Sequence, residues 1–166
     1  MPRGRRAVLA AGLLAASACG KPAGQPASSA PDFQVETVGG ETLRLSALKG
    51  KVVLLDFWAT WCLPCEETIP KLAVLHQRYR ERGLEVVGVS VDDDVRDVPP
   101  YAKSHGIGYA VALDPDKDVM DAYGVRSIPT TILVDRSGRL RGRWLGTGAR
   151  LERELEAEVQ KLLVEN

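Results

Sequence analysis

The chain has 166 residues, 45% hydrophobic and 27% charged, with 22 basic and 22 acidic side chains. That size and composition fit one globular domain with a real core and exclude collagen-like or wholly disordered chains. Removing the leader described below takes away Arg3, Arg5 and Arg6 and leaves 19 basic against 22 acidic residues, a balance that gives no reason to expect nucleic acid as a partner.

The N-terminus reads as an export signal over residues 1–18: a basic stretch around Arg3, Arg5 and Arg6, an apolar segment from Ala7 to Ala18, then small residues. The apolar segment is too short for a stable transmembrane helix. Ala16-Ser17-Ala18 fits an A-x-A cleavage site, and the same residues followed by Cys19 and Gly20 resemble the lipobox of bacterial lipoproteins, in which that cysteine is acylated. The lipoprotein reading is favoured because an exported protein rarely keeps an unpaired cysteine. Ala16 departs from it, since lipoboxes usually carry leucine there. Residues 19–31, rich in Pro, Ala, Ser and Gly, then read as a flexible tether, and the folded domain is expected over 32–166.

Phe33 to Thr37, the Gly39-Gly40 turn and Thr42 to Leu45 predict a small hairpin. Val52 to Trp58 is apolar and aromatic apart from Asp56, the pattern of a central strand covered on both faces. Trp61-Cys62-Leu63-Pro64-Cys65 follows, two thiols separated by two residues where that strand should hand over to a helix. A helix start offers unpaired N–H groups and the positive end of the macrodipole, which favour thiolate, so Cys62 is expected as an accessible, ionised nucleophile. Cys65, one turn on, is placed to resolve a mixed disulfide on Cys62. Three cysteines are too few for a structural framework, and Cys62 with Cys65 is the only local pairing.

Ile69, Leu72, Leu75 and Tyr79 recur at helical spacing until Gly83, with Pro70 inside expected to kink the helix. Leu84 to Val91 reads as a second buried strand, followed by Asp92-Asp93-Asp94 and a helix around Pro100 to His105. A short strand at Tyr109 to Leu113, a short helix at Asp116 to Tyr123, a hairpin from Thr130 to Trp144 and a closing helix with Leu151, Leu155, Val159 and Leu162 on its apolar stripe complete the chain. Strands alternating with helices and ending in an antiparallel hairpin predict an α/β class with a mixed central sheet.

These residues resemble the thioredoxin superfamily, specifically its extracytoplasmic ResA/TlpA-like group. The likeness rests on Phe57-Trp58-Ala59-Thr60-Trp61-Cys62-Leu63-Pro64-Cys65, on Pro70, on Ser127-Ile128-Pro129-Thr130-Thr131 and on the hairpin that follows, and it runs from about Phe33 to the C-terminus. It implies a thioredoxin-like fold with helices flanking the sheet, an N-terminal hairpin, and a central helix-strand insert between Asp92 and Asp114. It also implies a cis Pro129 facing the disulfide, with Ile128's backbone free to pair with an extended substrate and Trp61 and Pro64 beside it. Asp56 stands where thioredoxins proper carry a buried aspartate that takes the proton of the second cysteine, and desolvation should raise its pKa. The alternative is a structural carboxylate satisfied by donors such as Thr60. Asp93 aligns with an active-site glutamate of the ResA-like group, although a solvated acidic turn reads equally well, and Thr68 stands where relatives often have glutamate.

The resemblance implies a thiol-disulfide oxidoreductase that reduces protein disulfides and needs no cofactor. Leu63-Pro64 offers the thiolate neither charge nor donor, unlike the histidine of strong oxidants such as DsbA, whose potential is about −120 mV against about −270 mV for thioredoxin. Electrons would come from a membrane reductase of the CcdA/DsbD type, and clients would be apocytochrome c or a copper chaperone. A Sco-like copper protein is the main rival, but that group uses C-x-x-x-C and a histidine that neither His76 nor His105 supplies. Structural zinc would need four ligands, and a peroxiredoxin would carry Pro and Thr before its cysteine where this chain has Trp61.

Overall fold

The computed structural model describes residues 28–165. The leader, Cys19 and the tether as far as residue 27 lie outside the described residues.

Among the described residues, seven strands and four helices follow one another in the predicted order. A hairpin of β1 (Gln34–Glu36) and β2 (Thr42–Arg44) precedes a five-stranded sheet made of β3 (Val52–Trp58), β4 (Leu84–Ser90), β5 (Ala110–Leu113), β6 (Thr130–Val134) and β7 (Leu140–Leu145). The sheet order is β5-β4-β3-β6-β7, so the most apolar strand is central. β3 runs parallel to β4 and antiparallel to β6.

Every residue of β3 is buried, because its alternate side chains enter two cores. Val52 and Leu54 pack with Leu72, Leu75 and Tyr79 of α1 (Cys65–Tyr79) and with Leu155, Val159 and Leu162 of α4 (Ala149–Val164). Val53, Leu55 and Phe57 join Val98 of α2 (Val98–Ser104), Val119 of α3 (Asp118–Ala122) and Tyr123. The hairpin covers this second core through Val35 and Leu43. The helix-strand insert after β4 is α2 with β5, and it extends the sheet by one parallel edge strand. This is the thioredoxin-like arrangement the sequence predicts.

Two glycines make the geometry possible. Gly83 closes the turn after α1 at φ 98°, a region L side chains avoid. At Gly88 the obstacle is space, since a Cβ there would lie 2.8 Å from Trp58 Nε1 and 3.1 Å from Tyr109 Cε2. Pro70 does not interrupt α1, which runs unbroken to Tyr79.

The strand directions give the sheet two unlike poles. The chain leaves the C-terminal end of β3 toward Cys62, and β6 begins at that same end, with Thr130 opposite Phe57. At the other pole lie the start of β3 and the β6–β7 turn, where Gly50 N–H donates to Arg136 O and Ala30 N–H donates to Gly138 O. The first described residues therefore join the domain at the pole away from the cysteines.

Candidate active site

Cys62 and Cys65 are joined in a disulfide with their Cα atoms 5.3 Å apart. The turn between β3 and α1 places them. Cys62 N–H donates to Ala59 O at 3.1 Å, and Cys65 N–H donates to Cys62 O at 2.9 Å, so the chain coils tightly before α1 begins. One expectation is corrected here: regular helix starts at Cys65, and Cys62 lies in the preceding turn rather than at the helix start. The sulfurs are also less accessible than expected. Cys62 retains 4% of its surface and Cys65 none, whereas Trp61 and Leu63 beside them are 66% and 75% exposed. The tight turn folds the sulfurs inward to bond each other and leaves the flanking apolar side chains pointing out. Pro64 is exposed as well, Ile128 is half-buried and Pro129 is buried.

The Ile128–Pro129 peptide bond is cis, as expected. Pro129 immediately precedes β6, at the end of the sheet where the cysteine turn leaves β3, and its carbonyl accepts a hydrogen bond from Gly146 N–H.

Asp56 is fully buried in β3 between Gly88 on β4 and Thr131 on β6. Burial pushes its carboxyl up to about 7, against the lowering effect of a hydrogen bond from the Thr131 hydroxyl at 3.0 Å. Its second oxygen has no donor among the described residues. Thr60, the donor suggested by the sequence, instead serves Asp92. The strand register decides this, since Thr131 lies directly across from Asp56 while Thr60 lies beyond the strand end.

The acidic run after β4 divides sharply. Asp93, aligned by resemblance with an active-site glutamate, has a side chain 88% exposed that pairs with Lys117, which fits the solvated-turn alternative. Asp94 caps the following short helical turn and pairs with Arg96. Asp92 turns inward with 4% exposure. Its carboxylate accepts from Thr60 N–H at 3.1 Å, from the Thr60 hydroxyl at 2.6 Å and from the Ser90 hydroxyl at 2.8 Å. Thr60 stands two residues before Cys62, so the acid that touches the root of the cysteine turn is Asp92. The period-2 pattern through Ser90 and Asp92 carried this signal, because residues two apart on an extended chain share a face. At position 68 the threonine hydroxyl donates to Cys65 O at 3.0 Å.

His76 is half-buried and faces Glu85 at 3.9 Å, while His105 is exposed and stacks on Tyr101. Among the described residues, no group of three or more His, Cys, Asp and Glu side chains is arranged to hold a metal ion.

A two-residue spacer between bonded cysteines, a cis proline before the facing strand, and this sheet order together define a thioredoxin-fold thiol-disulfide oxidoreductase. Comparison with known proteins agrees: residues 26–143 match the AhpC/TSA family, and the chain belongs to it. It is 36% identical over 152 residues to the thiol-disulfide oxidoreductase ResA of Bacillus subtilis, covering 84% of this chain and 85% of that one. The ResA of Geobacillus thermodenitrificans is 37% identical over 120 residues, covering 72% and 69%. Among solved structures, a thiol:disulfide interchange protein of the thioredoxin family from Chlorobium tepidum superposes with a TM-score of 0.73 at 31% identity, over 85% of this chain and 99% of that one. The thioredoxin domain of a thiol-disulfide oxidoreductase from Bacteroides vulgatus gives 0.72 at 29% identity, over 80% and 96%. The protein is a ResA-like thiol-disulfide oxidoreductase.

Proposed function

We propose that this oxidoreductase works as a reductant of protein disulfides outside the cytoplasm, held to the membrane through Cys19. In its reduced form the Cys62 thiolate attacks one sulfur of a substrate disulfide; that S–S bond breaks, one substrate sulfur leaves as thiolate, and Cys62 holds the other. Asp56 takes the proton of Cys65, whose thiolate then attacks the Cys62 sulfur. The second substrate thiolate leaves, and two electrons have passed from the pair to the client. A carboxyl poised near neutrality suits the task, because it binds a thiol's proton and releases it again in the same pH range.

The observation that carries this reading is the disulfide bordered by exposed Trp61 and Leu63. Such an apolar rim suits a polypeptide laid across the site, with Trp61, Pro64 and Ile128 contacting its side chains and the backbone before Pro129 pairing with it. Attachment of the preceding chain at the opposite pole supports the anchored reading, because a tether there leaves the disulfide end free to meet clients. No helix among the described residues is long and apolar enough to cross a membrane. Re-reduction falls to a membrane electron donor of the CcdA/DsbD type. The leading client is apocytochrome c, whose C-x-x-C-H thiols must be reduced before haem attaches; a copper chaperone is the alternative.

A Cys65→Ser variant should accumulate clients as mixed disulfides on Cys62, identifiable by mass spectrometry after non-reducing electrophoresis. Recovery of no client, together with tightly held copper on the wild-type protein, would favour the Sco-like reading instead.

A further inference from the structure

Asp92 presents an unusual economy of contacts. A nearly buried carboxylate is costly unless its charge is compensated, yet Asp92 forms no ion pair among the described residues. Its partners are one backbone N–H and two hydroxyls, all donating into it. Simply tying Thr60 to the end of β4 does not demand a charge. An asparagine could accept from Thr60 with its oxygen and donate to Ser90 with its amide. What the carboxylate adds is a fixed negative charge at the root of the cysteine turn.

That charge is anchored to the residue two positions before the reacting cysteine. Consecutive Cα atoms are 3.8 Å apart, so Cys62 Cα lies no more than about 7.6 Å from the Cα of Thr60, whose N–H and hydroxyl both donate to the carboxylate. With the reach of the two side chains added, the charges are at most about 15 Å apart, and at an effective dielectric constant of about 20 they still interact by more than thermal energy. The neighbouring ionisable groups do not cancel the effect. Asp56 on β3 and Glu66 and Glu67 in the first turn of α1 are acids, and Tyr101 on α2 is a phenol whose pKa is raised by burial and by Glu66 and Asp92. In the loop itself, Asp93 is paired with Lys117 and Asp94 with Arg96.

We propose that Asp92 is a positioning and potential-setting residue: it staples Thr60, and with it the cysteine turn, to the end of β4, and its charge disfavours the Cys62 thiolate, holding the couple toward its disulfide and the protein toward reduction of others. This rests on Cys62 being the attacking thiolate. The hydrogen bonds and the charge make separable contributions. Removing the charge while keeping a polar group of the same size frees the thiolate to form at lower pH and stabilises the dithiol form.

The test is the pH profile of Cys62 alkylation in the reduced full chain, with Cys65→Ser as background, and the equilibrium of the intact pair with glutathione. Asp92→Asn should move the alkylation midpoint down by about one pH unit. At a pH above both midpoints it should also shift the glutathione equilibrium about tenfold toward the reduced protein, roughly 30 mV for a two-electron couple. Thr60→Val, which removes the hydroxyl and keeps the charge, should lower the melting temperature and leave the midpoint within a few tenths of a unit. A purely structural role would reverse that pattern. If Asp92→Asn does not fold, Asp92→Ser serves as the neutral variant, with the same downward shift expected. A folded neutral variant whose midpoint is unchanged or raised overturns the proposal. A wild-type profile showing no titration at Cys62 instead sinks the nucleophile assignment beneath it, and the two failures are thereby told apart.

Discussion

The two poles of the sheet use their polar side chains in opposite ways. Away from the cysteines, the chain is tied down. Arg136 donates to the carbonyls of Gly50, Arg82 and Leu163, and Asp135 accepts from Ser137 and Arg139 backbone N–H groups and from Arg141. Large apolar side chains are left in water at the cysteine pole, while three aspartates there, Asp56, Asp92 and Asp114, are withdrawn from it. A fold selected for stability alone would do neither, since exposing Trp61 forgoes burial and burying Asp56 with an unpartnered oxygen costs free energy. The contrast places structural duty at one end of the sheet and chemistry at the other.

Four measurements test that contrast. The largest effect is expected from Cys62→Ser, which should lower turnover of a protein disulfide on the order of a thousandfold or more while leaving the melting temperature of the reduced protein nearly unchanged. A residual rate close to wild type would move the chemistry elsewhere.

Asp56→Asn should come next and should act on stability with a defined sign. Because the folded-state pKa of about 7 lies above the ordinary 3.8, this group's contribution is whole below pH 3.8 and is lost as the pH rises through about 7. The substitution removes that loss. Denaturant titrations at pH 5 and pH 8 should show the wild type weakening relative to the variant, with the variant ahead by about 2–4 kcal/mol at pH 8. Resolution of the mixed disulfide by Cys65 should slow in the same variant, and equal stability of the two proteins at pH 8 would contradict the burial argument.

At the other pole, Arg136→Ala leaves three carbonyls without their guanidinium donor and should cost about 1–2 kcal/mol by chemical denaturation. The glutathione equilibrium should not move; if it does, the two poles are coupled. Trp61→Ala closes the series, with stability within about 0.5 kcal/mol because the ring is already in water. Its expected mark is a several-fold rise in KM for a protein disulfide, with little change for a small disulfide such as oxidised glutathione.

Much of this molecule was legible before any coordinates. The run Val52 to Trp58 could only be a strand covered on both faces, and it became the centre of the sheet. Gly83 marked the end of the first helical region because its backbone conformation is one that other residues avoid. The cis Pro129 followed from resemblance rather than from local chemistry, since an isolated proline before a strand reads as trans. The errors were local in scale. Placing Cys62 at the helix start was wrong by three residues, because a tight turn and a helix onset look alike in sequence. Thr60, one donor the structural alternative offered Asp56, serves Asp92 instead, and Thr131 donates to Asp56 from across the strand pair.

The acidic triplet shows where sequence stops. Asp92, Asp93 and Asp94 are chemically identical, and their order alone distributes no roles among them. The strand-helix alternation, the buried acid in the central strand and the paired thiols are readable from the residues alone, because hydrophobic periodicity and cysteine spacing are local properties. Which acid meets the cysteine turn, which hydroxyl meets Asp56, and the placing of the sulfurs beneath an apolar rim emerge only in the packed chain. Those outcomes depend on strand register and on which way one residue faces, and a shift of a single position along an extended chain exchanges the interior for water.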